Sequence, residues 1–138
     1  MHNTAMELTM TTQIELSIVL PNRAGTLGEV ANALARAKVN VLAIDASGGF
    51  EYNIVRIVPD KAAKARTVLR RRGLDVGETK VLCIPAKDQP GSLARIADAL
   101  GDAKINIDYL YATAGHPQSE ALIIVHVSDV RKAVKALR

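Results

Sequence analysis

Residues 22–47 read NRAGTLGEVANALARAKVNVLAIDAS, and residues 88–113 read DQPGSLARIADALGDAKINIDYLYAT. Aligned without a gap, the two stretches share Gly25/Gly91, Leu27/Leu93, Ala31/Ala97, Ala33/Ala99, Leu34/Leu100, Ala37/Ala103, Lys38/Lys104, Asn40/Asn106 and Ala46/Ala112. Thr26/Ser92, Val39/Ile105 and Val41/Ile107 are conservative pairs. Two unrelated amphipathic helices would match at apolar positions only. Here glycine and asparagine match as well, so the register marks an internal duplication.

Local structure extends outward from that repeat. Gln13 to Leu20 alternates, with Ile14, Leu16, Ile18 and Leu20 on one face, which predicts a strand. Pro21 to Gly25 is a turn, after which Leu27, Val30, Ala31 and Leu34 follow helical spacing. Thr26 and Glu29 have the spacing of a capping box. Val39 to Ala46 and Tyr52 to Val58 are predicted strands, separated by Ser47-Gly48-Gly49. A helix follows Pro59-Asp60, with Ala62, Ala65, Val68 and Leu69 on its apolar side, and Gly73 stops it. Leu74 to Val76 is the candidate closing strand.

The second copy repeats this order, with strands at Lys80 to Ala86, Ile105 to Thr113 and Ala121 to Val127. Its helices are marked by Leu93, Ile96, Ala97 and Leu100, and by Val130, Ala133, Val134 and Leu137. No closing strand is evident after the last helix; Met6 to Thr12 is a candidate to cover that edge. The fold class is therefore α+β: two ferredoxin-like βαββαβ modules, antiparallel sheets with helices on one face, joined side by side. Residues 1–12 read as a flexible extension, 13–79 as the first module and 80–138 as the second. Strands 52–58 and 122–127 are apolar on both faces, whereas helices cover only one. Packing against another subunit, as a homodimer, is expected; the alternative is that these strands are central and strongly β-forming.

Composition narrows the function classes. Of 138 residues, 49% are hydrophobic and only 3% aromatic (Phe50, Tyr52, Tyr109, Tyr111), so the core must be aliphatic. No apolar run is long enough for a membrane span, and the Met/Thr-rich start lacks the pattern of a signal peptide. A single cysteine, Cys83, cannot form an internal disulfide and points to the cytoplasm. Part of the net charge of +4 is the run Arg70-Arg71-Arg72 at a helix end, where cations complement the dipole. Nucleic-acid binding through such helix ends is the weakest of the binding readings, because the third strands offer only Tyr52 for base stacking.

Catalytic chemistry finds little support. His2, His116 and His126 sit in a tail, a loop and an apolar strand, none with a partner at metal-ligand spacing. No CxxC, HExxH, GxSxG or Walker-type loop occurs. No cofactor, metal or enzymatic activity is expected. Candidate chemistry is left at the two duplicated turns, Asn22-Arg23-Ala24-Gly25-Thr26-Leu27 and Asp88-Gln89-Pro90-Gly91-Ser92-Leu93. Glycine permits close approach to the backbone, and free amides at a helix N-terminus suit a carboxylate. Asp88 suits an ammonium group, and Asn40 and Asn106 are expected at the same end of the sheet. The same residues also serve as an ordinary strand-to-helix turn, and local chemistry alone favours that plainer reading.

The pattern D/N-x-P-G-x-L, a helix, then N-I/V opening a strand resembles the ACT domain family. Both copies carry it, over residues 13–138, with Ala24 where the family's proline is usual. The resemblance implies a non-catalytic regulator that binds an amino acid between modules and modulates a partner enzyme or regulator of amino-acid metabolism. It places the ligand-binding residues at Asn22, Arg23, Ala24, Gly25, Thr26, Leu27 and Asn40, and at Asp88, Gln89, Pro90, Gly91, Ser92, Leu93 and Asn106. The alternative is a regulatory-subunit interaction module that binds no ligand. Tyr109 and Tyr111 share a strand face and either line a pocket or pack.

Overall fold

A computed structural model describes residues 10–114 and 120–138. His2, His116 and most of the expected N-terminal extension lie outside the described residues. The chain divides into two compact units, Ile14–Thr79 and Lys80–Arg138, and residues 10–13 group with the second.

In the first unit, β1 (Thr11–Pro21) leads to α1 (Thr26–Arg36), β2 (Val41–Gly48), β3 (Tyr52–Pro59) and α2 (Ala62–Arg71). Strand β3 lies between β1 and β2, antiparallel to both. Alternation puts Leu16, Ile18 and Leu20 of β1 and Val55 and Ile57 of β3 on the helix side. There they pack with Val30, Leu34, Ala65 and Leu69 into one buried cluster. The opposite face carries Val19 beside Ile54, 55% and 42% exposed, with exposed Tyr52 one step along. The apolar second face inferred for this strand is thus open at that end, although Val58 at the other end is buried.

The second unit has the same order: β4 (Gly77–Lys87), α3 (Ser92–Asp102), β5 (Ile107–Ala114), β6 (Glu120–Val127) and α4 (Val130–Leu137). Strand β6 lies between β4 and β5. Leu82, Ile84, Ile123, Val125 and Val127 pack with Ile96, Leu100, Ala133 and Leu137. Of the stretch considered for this module's edge, residues 6–9 lie outside the described residues. Met10 packs against the second core.

Two local expectations are corrected. Leu74 to Val76 is not a strand; the strand begins at Gly77 and runs without a break to Lys87. Leu74 and Val76 instead pack on the first core, and the Leu74 amide donates to Leu69 O at 3.3 Å to close α2. Gly77 passes so near β1 that a Cβ there would sit 2.5 Å from Ser17 Oγ. Nor does Thr26 form a capping box. The N-cap is Gly25, with no side-chain cap bond, and Glu29 pairs with Arg72 at 3.6 Å.

Three helices end in the same paired bonds, characteristic of a left-handed stop. Val39 N donates to Leu34 O and Lys38 N to Ala35 O; Ile105 N donates to Leu100 O and Lys104 N to Gly101 O. After α2 the left-handed residue is Gly73 (φ 81°), but after α1 and α3 it is Lys38 (φ 61°) and Lys104 (φ 59°). A side chain in that region costs about 1–2 kcal/mol. Lys104→Gly is therefore expected to raise stability by about 1 kcal/mol, read as a higher urea midpoint at unchanged m-value. A lower midpoint would show that the lysine stem supplies packing greater than its strain.

Candidate ligand-binding turns

Each module's first strand must reverse onto its first helix within a few residues. Gly25 (φ 92°, ψ −16°) and Gly91 (φ 93°, ψ −14°) make the reversal in the same left-handed conformation. A Cβ at either position would meet nothing within 4 Å. Glycine is required here by the backbone angle, and the space beside it is open. The next residue is buried in both copies and turns its hydroxyl back to the strand end. Thr26 Oγ1 donates to Pro21 O at 2.9 Å and Ser92 Oγ to Lys87 O at 2.6 Å.

The N-cap residues are Gly25 and Gly91, which bring no side chain to cap the helix. Among the described residues, the first-turn amides of Leu27 and Gly28, and of Leu93 and Ala94, have no acceptor. These amides carry the positive end of an 11-residue helix. The exposed side chains of Leu27 and Leu93 put an apolar shoulder beside them. Arg23, Ala24, Gln89 and Pro90 are all exposed. The angles at Gly25 and Gly91 agree within two degrees, so Ala24 in place of proline leaves the folded turn unchanged.

The two polar residues at the head of the turns differ. Asn22 Nδ2 donates to Gly49 O and Phe50 O, both at 3.2 Å, and its Oδ1 accepts from Asn53 Nδ2 at 3.3 Å. Its amide donates to Glu51 O at 2.7 Å. Asn22 therefore ties the turn to the β2–β3 hairpin. Asp88 is exposed and makes no such bond among the described residues.

Asn40 and Asn106 do not join the turns of their own modules, contrary to expectation. Pro21 pairs with Tyr52, whereas Val41 pairs with Pro59, so Asn40 lies at the far end of β3. That separation is about 23 Å at roughly 3.3 Å per residue. Likewise Lys87 pairs with Glu120, but Ile107 with Val127. The physical reason is the antiparallel return of the helix, which delivers β2 and β5 to the opposite edge. There each asparagine makes a backbone clasp. Asn40 N donates to Asp60 Oδ1 while Asp60 N donates to Asn40 O, both at 2.9 Å. Asn106 exchanges the equivalent bonds with Ser128, at 3.3 and 3.1 Å.

Tyr109 stacks on His126 with ring centroids 4.8 Å apart, and Tyr111 lies 6.5 Å from Tyr109. His126 Nδ1 is 3.0 Å from Asp108 Oδ2, without hydrogen-bond geometry. This is cross-strand packing on β5 and β6. Cys83 is buried. A shallow cleft of about 130 Å³ adjoins the first turn, lined in part by Arg23, Thr26, Glu29 and Arg72. Among the described residues, no group of three or more His, Cys, Asp or Glu could hold a metal ion. No described helix is long and apolar enough to cross a membrane.

With this geometry established, a family model described as an ACT domain pair matches residues 10–135. The chain belongs to the ACT domain pair family. Among solved structures it is similar to a protein of Bacteroides thetaiotaomicron, at 27% identity and TM-score 0.85, covering 93% of this chain and 88% of that one. It also resembles the ligand-free regulatory subunit of aspartate kinase from Thermus thermophilus, at 16% identity and TM-score 0.69, over 90% and 89% of the two chains. At 16% identity and TM-score 0.59 it resembles Escherichia coli aspartokinase III in complex with aspartate and ADP, covering 93% of this chain and 31% of that one. Curated protein sequences include no match. The likeness to the aspartate kinase structures is one of fold.

The equal turn geometry makes a direct prediction. In this ACT pair, Ala24→Pro reproduces the residue already present at position 90 and removes an amide that has no acceptor among the described residues. It is expected to stabilise the first module by about 0.5–1 kcal/mol through the unfolded chain, measured as a shift in denaturant midpoint. A loss of stability would show that the two turns differ before the glycine.

Proposed function

We propose that this ACT domain pair is a non-catalytic regulatory protein that binds an amino acid at its duplicated turns. Through that ligand it modulates a partner of amino-acid metabolism, in the cytoplasm. The observation that carries the reading is the pair of glycine turns with uncapped helix amides beside an exposed leucine. Such amides suit the ligand's carboxylate, and the leucine suits the carbon next to it. In the second turn, Asp88 supplies an anion for the ammonium group. The first turn has Asn22 in that place, already bonded to its own hairpin, so the second turn is the stronger amino-acid site. Membership of a regulatory family supports the same reading, as does likeness to an aspartate kinase regulatory subunit.

Calorimetry against each of the twenty amino acids is the direct test. Binding of one or a few is expected, with Asp88→Ala weakening it about tenfold or more through loss of a charge-assisted bond. Asn22→Ala should lower thermal stability and leave that affinity nearly unchanged. If none of the twenty binds at millimolar concentration, the sensing role is lost.

A second reading, an interaction module without a ligand, draws on the exposed Val19, Ile54 and Tyr52 on the face away from the helices. Both readings use that face to pair two copies of the chain as a homodimer. Light scattering is expected to give a dimeric mass for the native chain and a shift toward monomer for Ile54→Lys. A native chain that stays monomeric at high micromolar concentration removes the homodimer from the proposal.

A further inference from the structure

The second unit carries a basic cleft that the amino-acid reading leaves unused. Val130, Arg131, Val134, Lys135 and Arg138 lie along one flank of α4, at the spacing that brings residues three and four apart together. With Lys80 of β4 and Thr12 of β1 they line an open cleft of about 420 Å³. Four of its seven lining side chains are cationic and none is acidic. Among the described residues, none of these four cations forms an ion pair, whereas Arg56, Arg66 and Arg72 each face a carboxylate. The floor is apolar, because Val130 and Val134 pack against the second core from its edge.

The ordinary explanation for cations on a helix covers only half of this arrangement. Lys135 and Arg138 close α4, where the dipole favours positive charge. Arg131 sits in the first turn, where the dipole disfavours a cation; the one carboxylate at that end, the N-cap Asp129, accepts from Lys132 N at 3.0 Å and forms no ion pair with Arg131 among the described residues. Lys80 comes from a different element and lines the same cleft. Holding four like charges around one cleft raises the energy of the empty site, and an anion relieves it.

We propose that this cleft binds a nucleoside triphosphate-like polyphosphate anion. Its phosphates sit among Lys80, Arg131, Lys135 and Arg138, and its base or sugar lies on Val130 and Val134. Arginine forks and lysine ammonium groups both suit phosphate oxygens, and the volume falls in the range of small-molecule sites. The cleft lies at the Lys80 end of β4, and the Gly91 turn follows the Lys87 end. Occupancy of one therefore leaves the other open, so this proposal stands independently of the amino-acid site.

The test is magnesium-free titration of the full chain with ATP, inorganic tripolyphosphate and adenosine, by calorimetry at low salt. ATP is expected to bind, tripolyphosphate more weakly and adenosine not measurably. The double variant Arg131→Glu, Lys135→Glu should weaken ATP binding about tenfold or more, and Lys80→Glu should weaken it severalfold. The matched variant Arg70→Glu, Arg71→Glu makes the same charge change on α2 and should leave affinity nearly unchanged. Circular dichroism melts of all variants separate lost binding from lost folding, and Lys80→Glu leaves α4 untouched. No binding of ATP at about 1 mM overturns the proposal, since that marks the floor of useful affinity. Equal losses in the α4 and α2 variants also overturn it, because they would trace binding to diffuse charge. Tripolyphosphate binding as tightly as ATP would overturn the role of the valine floor.

Discussion

The left-handed turn at Gly25 and Gly91 is the joint on which each module is built. A strand in the sheet layer must hand over to a helix lying on that sheet within about four residues. One residue at positive φ makes the reversal, and the buried hydroxyl of Thr26 or Ser92 ties the helix start to the strand end. That tie fixes the helix phase. With Thr26 inward, Val30 and Leu34 face the sheet; with Ser92 inward, Ile96 and Leu100 do. The same turn determines the chemistry left over. Glycine at the N-cap brings no side chain to cap with, so the foremost amides remain uncapped, and the adjacent leucine stays outside.

The other end of each helix shows how much local strain this packing tolerates. Lysine at the left-handed stop costs about 1–2 kcal/mol relative to glycine. The stop brings Val39 against Leu34 and Ile105 against Leu100, all four buried. Burying one such side chain is worth about 1.5–3 kcal/mol. Two per junction outweigh the strain, so the stop forms with a lysine at the left-handed position in each module, with the same bonds around it.

Much of the fold was legible because it is periodic and written twice. Alternation located the strands, and the i, i+3, i+4 pattern located the helices. The gapless match of residues 22–47 to 88–113 gave two modules of the same order. What failed has physical reasons. Leu74 and Val76 look like a strand because alternating apolar residues signal burial, yet here they bury as the tail of a helix stop. Thr26 and Glu29 have capping-box spacing, but the positive φ at Gly25 moves the cap back by one residue. Asn40 and Asn106 share the repeat with the turns, and sequence proximity concealed that a helix returning antiparallel carries them to the other edge. The bonds of Asn22 to Gly49, Phe50 and Asn53 span 27–31 residues, and no local pattern announces them. At the candidate site, then, the glycine turns were readable and the commitments of their side chains were not.

Those commitments separate two turns whose backbones are nearly the same. An asparagine offers both donors and an acceptor, so Asn22 can donate to two hairpin carbonyls while accepting from Asn53. An ionised aspartate has only acceptors and cannot make those two bonds. Asp88 therefore cannot donate to carbonyls as Asn22 does, and it is exposed at the head of its turn. Arg23 and Glu29 in the first copy correspond to Gln89 and Arg95 in the second, so the charges flanking the helix start change as well. Duplication preserved what the backbone requires: glycine, a buried hydroxyl, and apolar residues at helical spacing. It left the polar groups around them to diverge, committing the first turn to holding its own hairpin and leaving the second with an exposed anion beside uncapped amides.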